Sequence, residues 1–193
     1  MTHGPFFLAS ASPRRRALLE QIGQIPEQII AADIDETERP GELVRDYVVR
    51  VASGKAQAVA GAHTDKIILG ADTAVSVGRR ILPKTETVDQ TRECLALMSG
   101  RAHRVYSGVA IAFNDQLITR CVETRVKVRR LTKASIDEYI ASDEWRGKAG
   151  GYAIQGLFSK HIINIVGSYS NVVGLPLYET ANLLTGAFAN FKQ

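Results

Sequence analysis

Cys94 and Cys121 are the only cysteines in the 193 residues. Two thiols so far apart make neither a disulfide framework nor a structural zinc site, and they read as reduced thiols of a cytoplasmic protein. No stretch approaches the ~18 consecutive apolar residues of a membrane span. Residues 1–7 lack the basic segment and long apolar run of a secretory leader. His3, His63, His103 and His161 fall at no metal-ligand spacing, and no Ser/His/Asp or Cys/His arrangement for nucleophilic catalysis is suggested. Aromatics make up 7%, and the single tryptophan, Trp145, stands among mixed charges. A basic stripe with interleaved aromatics, the footprint of a nucleic-acid binder, is missing, so no nucleic-acid partner is expected. Internal repeats, low-complexity tracts and linkers are missing too.

What remains is ample core material, 45% hydrophobic against 23% charged, with a net charge of +4 and a pI near 9.2. Such a balance suits an anionic partner, either nucleic acid or a small phosphate ester. The length suits one domain over residues 1–193, with room for two lobes around a substrate cleft. A homodimer is left open. Strands and helices alternate, which argues for an α/β architecture. Strands are expected at 6–9, 67–77, 105–113, 117–128 and 162–166, with a short one at 81–82. Helices are expected at 13–22, 43–59, 88–98, 132–140 and 177–184. Hairpins at 78–80 and at Asn114-Asp115 mix with crossover helices, which predicts a mixed sheet rather than a purely parallel one. Residues 142–156, with four glycines, read as a loop.

The sharpest local feature is Leu8-Ala9-Ser10-Ala11-Ser12-Pro13-Arg14-Arg15-Arg16. A strand ends, small residues follow and a helix begins. Ser12 is a favoured N-cap and Pro13 fits the first helical position. Arg14 and Arg15 then occupy the first turn, where the helix dipole already carries about +0.5 charge, so each opposes it by roughly 0.3–1 kcal/mol. A bound anion reverses that sign: backbone N–H groups, serine hydroxyls and guanidinium groups together make a phosphate cradle. The alternative is a surface helix whose arginines point into water. Arg16, one step further round, reads as solvated.

Asp72 follows the buried run Ile67-Ile68-Leu69-Gly70-Ala71, a costly place for an acid unless it is paired or bound to metal; the alternative is a strand-end aspartate in solvent. Asp33, Asp35, Glu36 and Glu38 form an acidic stretch, one of which could join Asp72 around Mg²⁺. Lys55 lies on the apolar stripe of its helix, four residues from both Val51 and Val59, and either snorkels to water or enters a cleft. Gly54 beside it should weaken the helix by ~1 kcal/mol relative to Ala. Lys84 and Lys148 are further cations in turn or loop segments.

These residues resemble the Maf family. Leu8 to Arg15 is similar to its N-terminal signature, Gly70-Ala71-Asp72-Thr73 to its catalytic strand, Lys148 to Gly156 to its late substrate-binding loop, and Val173-Gly174-Leu175-Pro176 to its C-terminal signature. The four stand in family order across nearly the whole chain. The resemblance implies an elongated mixed α/β sheet with flanking helices and a central cleft, similar to the inosine-triphosphate pyrophosphatases. It implies cleavage of a nucleoside triphosphate to monophosphate and pyrophosphate with a divalent cation, Mg²⁺ or Mn²⁺. Asp72 would be the catalytic group, as general base or metal ligand, and Glu36 would join it at the metal. Arg14, Thr73 and Gln155 would set specificity, in the pattern of the dTTP/UTP branch; a 7-methyl-GTP branch carries Trp, Gln and Glu there. Ser12, Arg15, Lys55, Lys84 and Lys148 would bind substrate. Where the family usually has Lys-Pro, this chain has Lys84-Thr85. The alternatives are 7-methyl-GTP cleavage, or a non-enzymatic regulator that binds nucleic acid or a division protein.

Overall fold

A computed structural model describes residues 4–191, so His3 and the first residues of the weighed leader segment lie outside it. In chain order the elements are β1 (Phe6–Ala9), α1 (Pro13–Gln21), β2 (Gln28–Ile29), α2 (Val44–Ala60), β3 (Ile67–Val77), β4 (Arg80–Leu82), β5 (Lys84–Thr85), α3 (Val88–Met98), β6 (Ala102–Phe113) and β7 (Gln116–Val128). Then come α4 (Lys133–Ala141), β8 (Lys148–Ala149), a 3₁₀ turn (Leu157–His161), β9 (Ile162–Val166), α5 (Tyr169–Val173) and α6 (Leu177–Asn190). The main sheet runs β2-β1-β3-β6-β7-β9, with β4 paired to β3. It is mixed, as expected: β1 pairs β2 and β3 in parallel, whereas β3–β4 and β7–β9 are antiparallel.

The chain forms two compact units. Residues 1–72, 107–122 and 174–193 make the first, and residues 73–106 and 123–173 the second. In the first unit α2 buries Ala52, Ala56 and Val59 against Phe7, Ala9, Ile68, Ala110 and Ala112. Small residues bring the helix down onto the strands. A Cβ at Gly70 of β3 would collide with the Ala52 carbonyl, and one at Gly108 of β6 with that of Val48. Gly70 thus leaves no vacant space beside Asp72: its missing side chain is filled by the α2 backbone. Asp72, two residues on, faces the same side because strand side chains alternate. At the far end of β6, Asn114 and Asp115 both adopt positive φ, 47° and 58°, the geometry of a tight two-residue hairpin turn.

In the second unit Val75, Leu82, Leu95, Met98, Val105, Val126, Tyr139, Trp145, Tyr152 and Phe158 form the core. Thr87 and Gln90 cap α3 reciprocally as a capping box, and Thr132 caps α4 by accepting from the Ser135 amide. The segment read as a loop, 142–156, contributes β8, which pairs antiparallel with β5 so that Lys84 faces Ala149 and Thr85 faces Lys148. Thr85 is fully buried. Its hydroxyl donates to the Trp145 carbonyl at 3.1 Å, a bond that the proline usual in the family cannot make. Neither cysteine is bridged.

Candidate active site

In the first unit β3 and α2 bring an acid and a base together. Asp72 and Lys55 are both buried. Lys55 Nζ donates to Asp72 Oδ1 at 2.9 Å and lies 2.7 Å from Glu36 Oε1. The Lys55 ammonium is therefore buried against two carboxylates rather than snorkelling to water. Of the four acids in the 33–38 stretch, Glu36 reaches Lys55. Asp35 instead accepts the Thr37 amide at 2.8 Å in a local turn. The Asp72 and Glu36 oxygens face one ammonium and so lie close to one another, two carboxylates converging from β3 and from the segment before α2. Among the described residues no group of three or more His, Cys, Asp or Glu side chains gathers to hold a metal. A pair of carboxylates nonetheless fits Mg²⁺ or Mn²⁺ chemistry, since Mg²⁺ takes one or two carboxylates and fills its remaining positions with water and substrate phosphates.

The helix-start arginines diverge. Arg16 is exposed and pairs with Glu20 at 2.7 Å. Arg14 is half-buried, and desolvation lowers its pKa. Arg15 is buried; its Nε donates to the Gly174 carbonyl at 2.9 Å and its Nη1 to Ser10 Oγ at 2.8 Å. Burial lowers its pKa, opposed by the field of Asp72, which places the guanidinium within electrostatic reach of the acid. The water-facing alternative thus fails for Arg15. Gly174 presents that carbonyl at φ 140°, a backbone conformation open mainly to glycine, so the first and last sequence signatures meet in one hydrogen bond. Ser12 occupies the N-cap of α1 but its side chain makes no cap bond; its amide points back to Ser10 Oγ, 3.4 Å away.

Tyr47 lies two turns before Lys55 on α2. Burial first, then the negative field of Asp72 and Glu36, pushes its phenol up to about 12, so it stays a neutral hydrogen-bond donor. Nothing in the sequence analysis singled out Tyr47. Ser10 as the partner of Arg15 was missed too; its only signal was a small polar residue at a strand end.

Thr73, Lys84, Lys148 and Gln155 belong to the second unit. Thr73 follows Asp72 on β3 and points to the opposite face. Lys84 is exposed and Lys148 half-exposed; the β5–β8 register pairs Lys84 with Ala149 and Lys148 with Thr85, so the two lysines stand on opposite faces of the ribbon. Gln155 is exposed and lines a cavity of about 590 Å³ with Ile154, Ser159, Ile163 and Tyr169. Glu144, which the sequence did not single out, holds the turn after Gln155: its Oε2 accepts the Leu157 amide at 2.7 Å, and its carboxylate lies where a Cβ on Gly156 would be.

A buried ammonium–carboxylate centre within electrostatic reach of a cationic helix start suits phosphate-ester chemistry on an α/β scaffold. The same fold occurs in the Staphylococcus aureus Ham1 protein, with a TM-score of 0.54 and 13% identity over 96% of this chain and 98% of that one. The pattern described as "Maf-like protein" matches residues 5–187, and the chain belongs to that family. It is 58% identical over 180 residues to a dTTP/UTP pyrophosphatase of Maricaulis maris (strain MCS10), covering 93% of this chain and 86% of the relative. It is 53% identical over 188 residues to the protein of that name from Caulobacter vibrioides, covering 96% and 97%.

Proposed function

We propose that this chain hydrolyses dTTP and UTP to the nucleoside monophosphate and pyrophosphate, in the cytoplasm, with a divalent cation. The observation that carries the reading is the Lys55 ammonium, 2.9 Å from Asp72 and 2.7 Å from Glu36, in a chain 50–58% identical to proteins named for that activity. Asp72 and Glu36 would hold the cation, Mg²⁺ or Mn²⁺, which supplies charge neutralisation at the phosphates. Water adds to the α-phosphorus, the bond from that phosphorus to the bridging oxygen breaks, and the electron pair leaves with pyrophosphate. Asp72, which accepts a hydrogen bond from Lys55 at 2.9 Å, takes the water proton. In the first unit Arg14 and Arg15 would bind phosphate, with Ser12 at the helix start and Arg14 also a specificity residue; in the second unit Lys84 and Lys148 would bind substrate, and Thr73 and Gln155 would set specificity.

Among the described residues no helix is long and apolar enough to cross a membrane. The test is a screen of nucleoside triphosphates for pyrophosphate release with Mg²⁺ or Mn²⁺. Release from dTTP and UTP is expected; salt-dependent nucleic-acid binding with no turnover of any triphosphate overturns the reading.

A further inference from the structure

Glu36 sits in a segment, residues 30–43, that has no helix or strand. An irregular segment this long is mobile unless its side chains tie it down, and a metal ligand must hold its place to within fractions of an ångström. Besides the Ile30 amide bond to the Leu8 carbonyl and the packing of Ile30 and Ala32 on the core, three ties lie nearer Glu36. Ile34 packs into the space that Gly54 of α2 leaves open, 3.0 Å from where a Cβ would stand; the glycine that weakens the helix admits the segment. Lys55 pairs with Glu36 itself. The third tie is Arg50, also on α2. Its Nε donates to Glu42 Oε1 at 2.6 Å and its Nη2 to Glu42 Oε2 at 2.7 Å, a bidentate fork. The same Nη2 donates to the carbonyl of Thr37, the residue after Glu36, at 2.9 Å. Glu42 Oε2 in turn accepts the Arg39 amide at 3.1 Å. The pair is mostly sheltered, at 22% and 10% side-chain exposure, and the guanidinium lies 5.5 Å over the Tyr47 ring.

Solvated surface pairs contribute little, but this one closes a ring of bonds around the backbone next to Glu36. We propose that Arg50 and Glu42 form a clamp that positions Glu36 for the divalent cation. They are positioning residues and touch neither substrate nor cation. The inference rests on Glu36 being a cation ligand. Lysine cannot replace the fork, because an ammonium does not bond two carboxylate oxygens and a carbonyl in one plane.

The experiment measures Mn²⁺ binding by electron paramagnetic resonance, without nucleotide, in wild type, Arg50→Lys, Glu42→Gln and Glu36→Gln. Pyrophosphate release from dTTP is then followed across a Mg²⁺ titration. Arg50→Lys and Glu42→Gln should each raise the Mn²⁺ Kd and the Mg²⁺ concentration for half-maximal rate by about 10-fold, the size typical of losing an outer-shell support. Their kcat at saturating Mg²⁺ should stay within about threefold of wild type. A merely structural pair would lower Tm and leave metal affinity alone. Unchanged Mn²⁺ binding in both clamp variants, with Glu36→Gln binding weakly, overturns the clamp and leaves the cation site standing. Unchanged Mn²⁺ binding in Glu36→Gln overturns the cation reading, and the clamp with it. A kcat lost at saturating Mg²⁺ overturns the positioning role by placing Arg50 at the reacting groups.

Discussion

Lys55 and Asp72 form a buried pair, Nζ to Oδ1 at 2.9 Å, with side-chain exposures of 8% and 3%. The contact exists because Gly70 lets α2 rest on β3, so a lysine on the helix's apolar stripe arrives at the acid two residues past the glycine. The Asp72→Asn amide keeps an oxygen for Lys55 but cannot take a proton from water. Turnover of dTTP should fall by about 10³-fold, within the range for losing a general base, with the circular dichroism spectrum unchanged. Near-wild-type turnover in the folded variant removes Asp72 from catalysis.

Arg14 and Arg15 should separate in a stability measurement. Arg15 holds Ser10 and the Gly174 carbonyl, and hydrogen bonds to charged groups contribute about 1.5–3 kcal/mol each. Arg15→Gln should therefore destabilise the ligand-free protein by about 3 kcal/mol in urea unfolding. Arg14→Gln should change it by under about 1 kcal/mol while reducing the Tm rise produced by pyrophosphate. Equal stability losses in the two variants would refute this division of labour.

Much of this arrangement is legible in the sequence where local patterning and tertiary need agree. The Leu8–Arg16 strand-to-helix entry, the stripe position of Lys55 and the Asn114-Asp115 turn all follow from periodicity and turn chemistry. The β5–β8 ribbon does not, because two-residue strands have no period to detect and Gly150-Gly151 reads as loop. Nor does the length of α6: Thr185-Gly186 interrupts the apolar pattern after Leu184, yet the helix continues to Asn190, with Ala187 buried and Phe188 against Phe6. The choice of Glu36 among four neighbouring acids depends on Lys55, 19 positions away, which no local rule contains.

His103 makes the protein acid-sensitive. Burial lowers its pKa from 6.5 to about 4, and its Nε2 lies 2.7 Å from the Tyr152 hydroxyl. Its Nδ1 has no partner, so the tautomer that leaves only a lone pair unpaired has Nε2–H donating to the phenol. Between pH 6.5 and 4 the unfolded chain binds the proton and the folded one does not. Stability therefore falls as pH drops through that window, by up to about 1.4 kcal/mol per unit. His161 is also lowered, by burial and by Arg129, so the slope is isolated by difference. Urea unfolding of wild type and His103→Gln at pH 7, 6, 5 and 4 should show a shallower decline in the variant. Parallel declines would refute the assignment.

Base choice is the sharpest test of the second unit. A 7-methylguanine ring is cationic and suits a carboxylate with a stacking indole; the residues proposed here to choose the base are Arg14, Thr73 and Gln155. Uracil and thymine are neutral and present carbonyl acceptors around one N–H. The Gln155 amide carries both a donor and an acceptor for that edge, whereas Arg14 carries donors only and repels a cationic base. Glu144 fixes the Gly156-Leu157 turn that follows Gln155, accepting the Leu157 amide. The kcat/KM for dTTP and UTP should exceed that for 7-methyl-GTP by at least about 100-fold, the range that one or two mismatched polar contacts give. Gln155→Glu should narrow the gap from both sides: it loses the donor that a pyrimidine carbonyl needs and gains the charge that a methylated guanine prefers. A preference of the unmodified protein for 7-methyl-GTP would overturn the pyrimidine assignment and leave the pyrophosphatase reading in place.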